Sequence, residues 1–150
     1  MRPEDHLKNT KAYFWKESFA IIRSDHTHPE AFANIVDKNE ITVIIDQTKL
    51  KGHYQLTSEN QDSFKIDKQS FSDFDEQNLS ETEKDWKILT LDVVFPLDTV
   101  GILAKISGLL AERGISIMTI SAYSRDHFLI REKDVVTTVN ALESLGIKFY

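Results

Sequence analysis

Cysteine is absent from the 150 residues, which excludes disulfide frameworks, thiolate metal sites and thiol nucleophiles together. Long apolar runs are absent as well. No stretch approaches the roughly 20 residues needed to cross a bilayer, and the opening MRPEDHLKNTK has no apolar core of the signal-peptide kind. These absences predict a cytoplasmic protein with no membrane partner. Positive charge is in deficit: the formal net charge is -6, so a phosphate backbone is repelled on average and nucleic acid is not an expected partner. The G-x-G-x-x-G and Walker loops are missing, which leaves dinucleotide and nucleoside-triphosphate binding without support. Ser107-Gly108 falls inside a helical pattern and lacks the G-x-S-x-G elbow of a serine nucleophile.

What is present suffices for a globular fold. Hydrophobic residues make up 41% of the chain and nine of them are Phe. Acidity is segregated: between Ser58 and Asp85, nine Asp and Glu residues face only Lys65, Lys68 and Lys84, which accounts for the whole net charge. Residues 58–85 therefore read as an acidic connector or insertion between an N-terminal part, 1–57, and a C-terminal part, 86–150. Phe64, Ile66, Phe71, Phe74 and Leu79 predict partial order within it, with SFKID able to form a hairpin with YQLTS.

In the N-terminal part, PEDHLKNTKAYFW is expected to form a helix with Leu7, Tyr13 and Phe14 on or near one face. SFAIIRS reads as a strand, and AFANIVDKNEITVIID as two strands joined at Lys38-Asn39. In the C-terminal part, Trp86–Phe95 reads as a strand stopped by Pro96. Val100, Leu103, Ile106, Leu109 and Leu110 then follow helical spacing, with Asp98 or Thr99 as N-cap and Gly114 as the stop. ISIMTISAY and HFLIRE are strands flanking the turn SRD. Val135, Val136, Val139, Leu142 and Leu145 mark a second helix closed by Gly146, and IKFY suits a short last strand. The order β-α-β-β-α-β is that of an α+β, ferredoxin-like fold: an antiparallel sheet with both helices on one face.

Candidate chemistry is sparse. His26 and His28 form an H-x-H pair beside Asp25, but Pro29 marks a surface loop and no third ligand stands near, so a solvated loop is expected, not a metal site. Asp126 and His127 read as a turn carboxylate and a strand-end histidine, not as an acid/base pair. No catalytic residue, metal or cofactor is assigned, and the protein is expected not to be an enzyme. The junction FPLDTVGI is the informative place. A helix N-terminus leaves backbone N–H groups unpaired and attracts a carboxylate, Gly101 allows close approach to the backbone, and Asp98 either caps the helix or accepts hydrogen bonds from an α-ammonium group.

FPLDTVGILAKISGLLAERGISIMTIS, followed by AYSRDHFLIREKD, resembles the ACT domain family. The likeness covers Trp86–Tyr150 well and Ser18–Leu50 loosely. It suggests a tandem ACT-like protein, the first module reduced, similar to the cytosolic arginine sensor of mammals and to aspartate kinase regulatory regions. The resemblance implies an allosteric sensor: modules pair as a homodimer, and a small molecule, commonly an amino acid, binds where the first loop of one module meets the second strand of its partner. By position, the implied ligand-binding residues are Asp98, Thr99, Val100, Gly101 and Ile102 in the loop and helix start, with Ile115, Ser116, Ile117 and Met118 opposite. The pattern departs from the family at Val100, where a Pro or small residue is usual, and in DHTHPEAFAN, too short for a first helix in the N-terminal module. A separate effector protein would read the ligand. The alternative is a protein-interaction scaffold without a ligand, its acidic connector facing a basic partner.

Overall fold

The computed structural model describes residues 2–53 and 81–150. Their elements are α1 (Pro3–Leu7), β1 (Lys11–Phe14), β2 (Phe19–Ser24), β3 (Ala33–Val36), β4 (Ile41–Asp46), β5 (Thr82–Leu91), α2 (Ile102–Glu112), β6 (Ile117–Ser121), β7 (Asp126–Arg131), α3 (Val135–Glu143) and β8 (Lys148–Phe149). The hairpin expected for YQLTS and SFKID lies outside the described residues, as does most of the acidic connector.

The chain divides into two compact units whose boundaries differ from those expected. One comprises Met1–Lys16 with Trp86–Tyr150, the other Glu17–Asp85. The first sixteen residues thus belong with the C-terminal part. They also do not form the expected helix. Helix α1 stops at Leu7, Asn9 takes a left-handed φ of 68°, and Lys11–Phe14 becomes a strand. The reason is tertiary. Backbone groups of β1 are satisfied from both sides, by β5 in antiparallel register (Ala12 opposite Leu91) and by β8 in parallel register (Ala12 opposite Phe149).

The larger unit is the βαββαβ arrangement with this extra strand inserted. β7 pairs antiparallel with both β5 and β6, and β1 stands between β5 and β8. The sheet is accordingly mixed, not purely antiparallel. Both long helices bury one face against one side of it: Ile102, Ile106 and Leu110 of α2, and Ala141 and Leu142 of α3, join Leu89, Leu91, Phe128 and Ile130. Leu7 and Ala12, both fully buried, complete that core from the N-terminal segment. At the far end Gly146, with φ +86°, lets the chain pass close to Lys8, and its carbonyl accepts the Asn9 N–H at 2.9 Å.

In the smaller unit, β2 and β3 flank β4, both antiparallel to it. The β3–β4 hairpin turns at Lys38-Asn39 as expected. Asp37 Oδ1 accepts the N–H groups of Asn39 and Glu40 at 2.7 and 2.9 Å, an Asx turn that also holds the Asp37 carboxyl below its ordinary value. Ala20, Ile22, Val43, Ile45 and Leu50 form its core.

Candidate functional site

Strand β5 ends at Leu91, four residues before the expected Phe95, because its partners run out there. Asp92 donates its N–H to Lys11 O at 2.8 Å, and β1 offers nothing beyond Lys11. The chain then makes a turn closed by Thr99 N–H to Pro96 O, 2.9 Å, and reverses at Gly101, whose φ is +87°. The first helical bond runs from Lys105 N–H to Gly101 O, so α2 starts at Ile102 and the residue before it is glycine. Neither Asp98 nor Thr99 is the N-cap, and no side chain among the described residues caps the helix. The amides of Ile102, Leu103 and Ala104 have no partner among the described residues.

One side of this junction is closed by α1. A Cβ on Gly101 would stand 2.8 Å from Pro3 Cγ, and Glu4 Oε1 pairs with Lys105 Nζ at 2.7 Å. That contact is the main reason the Glu4 carboxyl titrates below its ordinary value. On the other side lies a cleft of about 340 Å³. One wall is residues 95–97, Thr99 and 101–104, and the other is residues 121–126 of the β6–β7 turn. The walls face each other because β5 and β6 finish, and β7 begins, at the same end of the sheet: Thr90 lies opposite His127, and Ser121 opposite Asp126.

Of the residues expected at a ligand site, the structure brings Thr99, Gly101 and Ile102 to this cleft. Asp98 and Val100 are exposed beside it and do not line it, Val100 being 82% exposed and off the buried face of α2. Ile115 is buried in the core, Ser116 is exposed, and Ile117 and Met118 begin β6 at the opposite end of the sheet. Within one chain these four do not meet the loop.

The turn residues Ser121–Asp126 were not expected at the site, and their signal was topological: in βαββαβ the hairpin between the second and third strands turns beside the first loop. Arg125 is the charged member of that wall with the firmest anchor. Its Nε and Nη2 reach Asp92 Oδ1 at 3.0 and 2.9 Å, while the Tyr150 hydroxyl donates to Asp92 Oδ2 at 2.7 Å. The Tyr150 hydrogen bond, then the Arg125 contact, lower the Asp92 carboxyl pKa, and the same bond raises that of the Tyr150 phenol.

A second polar chain lies in the sheet. Trp15 Nε1–H donates to Thr90 Oγ1 at 2.9 Å, and Thr90, fully buried, stands 2.8 Å from His127 Nδ1. An indole N–H can only donate, so Thr90 Oγ1 accepts it and still has one O–H to donate and one lone pair to accept, either of which suits His127 Nδ1 according to its tautomer. Burial lowers the His127 pKa, which favours the neutral imidazole. In the smaller unit His26 contacts Asp25, and His28 is held by Asn34, whose Oδ1 accepts the His28 N–H at 2.8 Å and whose Nδ2 donates to His28 O at 2.9 Å. Among the described residues no three His, Asp or Glu side chains come together as metal ligands.

Residues 81–144 match the family model of the ACT domain. No curated protein matches the chain by sequence. Solved structures do match. A protein from Agobacterium tumefaciens superposes with a TM-score of 0.66 at 17% identity, over 95% of this chain and 92% of the other. One from Vibrio cholerae, described as a possible transport protein, gives 0.64 at 17%, over 93% and 92%. The ligand-free regulatory subunit of aspartate kinase from Thermus thermophilus gives 0.58 at 12%, over 93% and 98%. At these identities the likeness is one of fold. Over residues 81–144 the chain thus resembles the ACT domain, in a fold like that of the aspartate kinase regulatory subunit.

Proposed function

We propose that this chain is a non-enzymatic regulatory protein that binds a free amino acid in the cleft between the β5–α2 loop and the β6–β7 turn. The observation that carries the reading is an ACT loop opening on that cleft with three unpaired amides at the start of α2. Those amides and the helix dipole suit an α-carboxylate. Thr99, Gly101 and Ile102 form the floor near it, and Asp98 and Val100 flank the mouth. Ser116, Ile117 and Met118 enter through a second copy of the chain, whose β6 edge completes the site in a homodimer, with Ile115 anchoring that edge from the core behind it. The ligand then favours the paired arrangement by its difference in affinity between arrangements, and an effector protein reads the change.

A thermal-shift screen against the twenty amino acids tests this. At a concentration of 100 Kd, a true ligand stabilises by about 2.7 kcal/mol. Ala104 is exposed in the first turn of α2, so Ala104→Glu sets a carboxylate of the chain's own near the free amides. The variant keeps the unliganded stability or raises it slightly, by about 0.3–1 kcal/mol, and loses the ligand shift. No response to any amino acid overturns the proposal.

A further inference from the structure

The cleft holds more than a helix terminus. A guanidinium carries five N–H donors in a rigid fork. In Arg125 the Nε and Nη2 groups both go to the single oxygen Asp92 Oδ1, and Nη1 has no partner among the described residues. The second oxygen of Asp92 is already taken by the Tyr150 hydroxyl, so the carboxylate serves as a fixed buttress and does not chelate the fork. An arginine held in this way meets a ligand with little further loss of side-chain freedom. Among the described residues, Arg125 and Asp126 are the two charged ones lining the cleft.

A ligand with one carboxylate satisfies either the α2 amides or Arg125 and leaves the other donors to water. A ligand with two satisfies both, and Asp126 provides an acceptor for its ammonium group. We propose that the cleft selects acidic amino acids, one carboxylate on the amides opening α2 and the second on Arg125. This rests on the reading of the cleft as an amino-acid site.

Titration calorimetry of the full chain with L-glutamate, L-aspartate, L-glutamine and L-asparagine tests it. An acid is expected to bind at least about tenfold more tightly than its amide, the loss that goes with one charge-assisted contact. In Arg125→Gln that preference falls to about twofold or less, while the melting temperature of the unliganded protein reports that the fold is kept. Arg125→Lys, which retains charge without the fork, is expected to fall between. Preference for a neutral or basic amino acid overturns the acidic selectivity and leaves the site reading standing. Undiminished acid preference in a folded Arg125→Gln overturns the role given to Arg125. Binding of no amino acid at all overturns both.

Discussion

Gly101 and Gly108 sit seven residues apart and have opposite requirements. Gly101 holds a left-handed φ of +87° with Pro3 Cγ 2.8 Å from where a Cβ would be, whereas Gly108 lies within α2 with no atom within 4 Å of its own. Gly101→Ala should therefore cost about 1–2 kcal/mol from the left-handed backbone alone, and more if Pro3 cannot move aside. Gly108→Ala should gain up to about 1 kcal/mol from helix propensity. Urea unfolding of the two variants checks both signs, and a neutral Gly101→Ala would show that the contact with α1 is loose. That a glycine mattered at this junction was legible in FPLDTVGI. Its role was not, because Asp98 and Thr99 are as good a pair of cap residues as sequence offers. The turn closed by Thr99 N–H to Pro96 O displaces the helix start past them.

Among the elements, β1 is where local preference and tertiary context disagree. KAYF carries aromatic residues that suit a strand, but the spacing of Leu7, Tyr13 and Phe14 imitates a helical face, and nothing nearby in sequence says which prevails. Pairing with β5 and β8 decides it, over separations of some eighty and more residues. Residues 86–150 alone are thus expected not to fold cooperatively, since their sheet lacks the strand between β5 and β8 and their core lacks Leu7 and Ala12. A sharp thermal transition in that fragment would refute the pairing. In the full chain Leu7→Ala should cost about 2–5 kcal/mol, as for other fully buried leucines. By contrast α2, β6, β7 and α3 lie where hydrophobic periodicity puts them, because each buries one face against a contiguous core.

At the scale of the whole molecule, acid should erode stability in two steps. His127 has its pKa lowered from 6.5 by burial, so the unfolded chain binds its proton more readily, and stability held at neutral pH is lost as the pH falls below 6.5. The carboxyls of Glu4, Asp25, Asp37 and Asp92 are lowered too. Their contribution is present above the ordinary values of 4.5 for Glu and 3.8 for Asp and is lost as the pH falls through the folded values. Melting temperature against pH should show both losses, and His127→Asn should flatten the upper one. If the upper slope persists in that variant, the histidine is not its source.

By itself the sequence determined the α+β class, the β-α-β-β-α-β order and the loop that carries the ACT pattern, since these follow from the spacing of apolar residues and from punctuation at Pro96, Gly114 and Gly146. Only the tertiary structure decided that residues 1–16 fold with 86–150, that α1 closes one side of the Gly101 junction, and that Arg125 stands across a cleft from α2. The physical reason is reach. Periodicity reports which face of an element is buried, while strand partners and cleft walls are chosen by backbone hydrogen bonds and side-chain contacts between segments far apart along the chain.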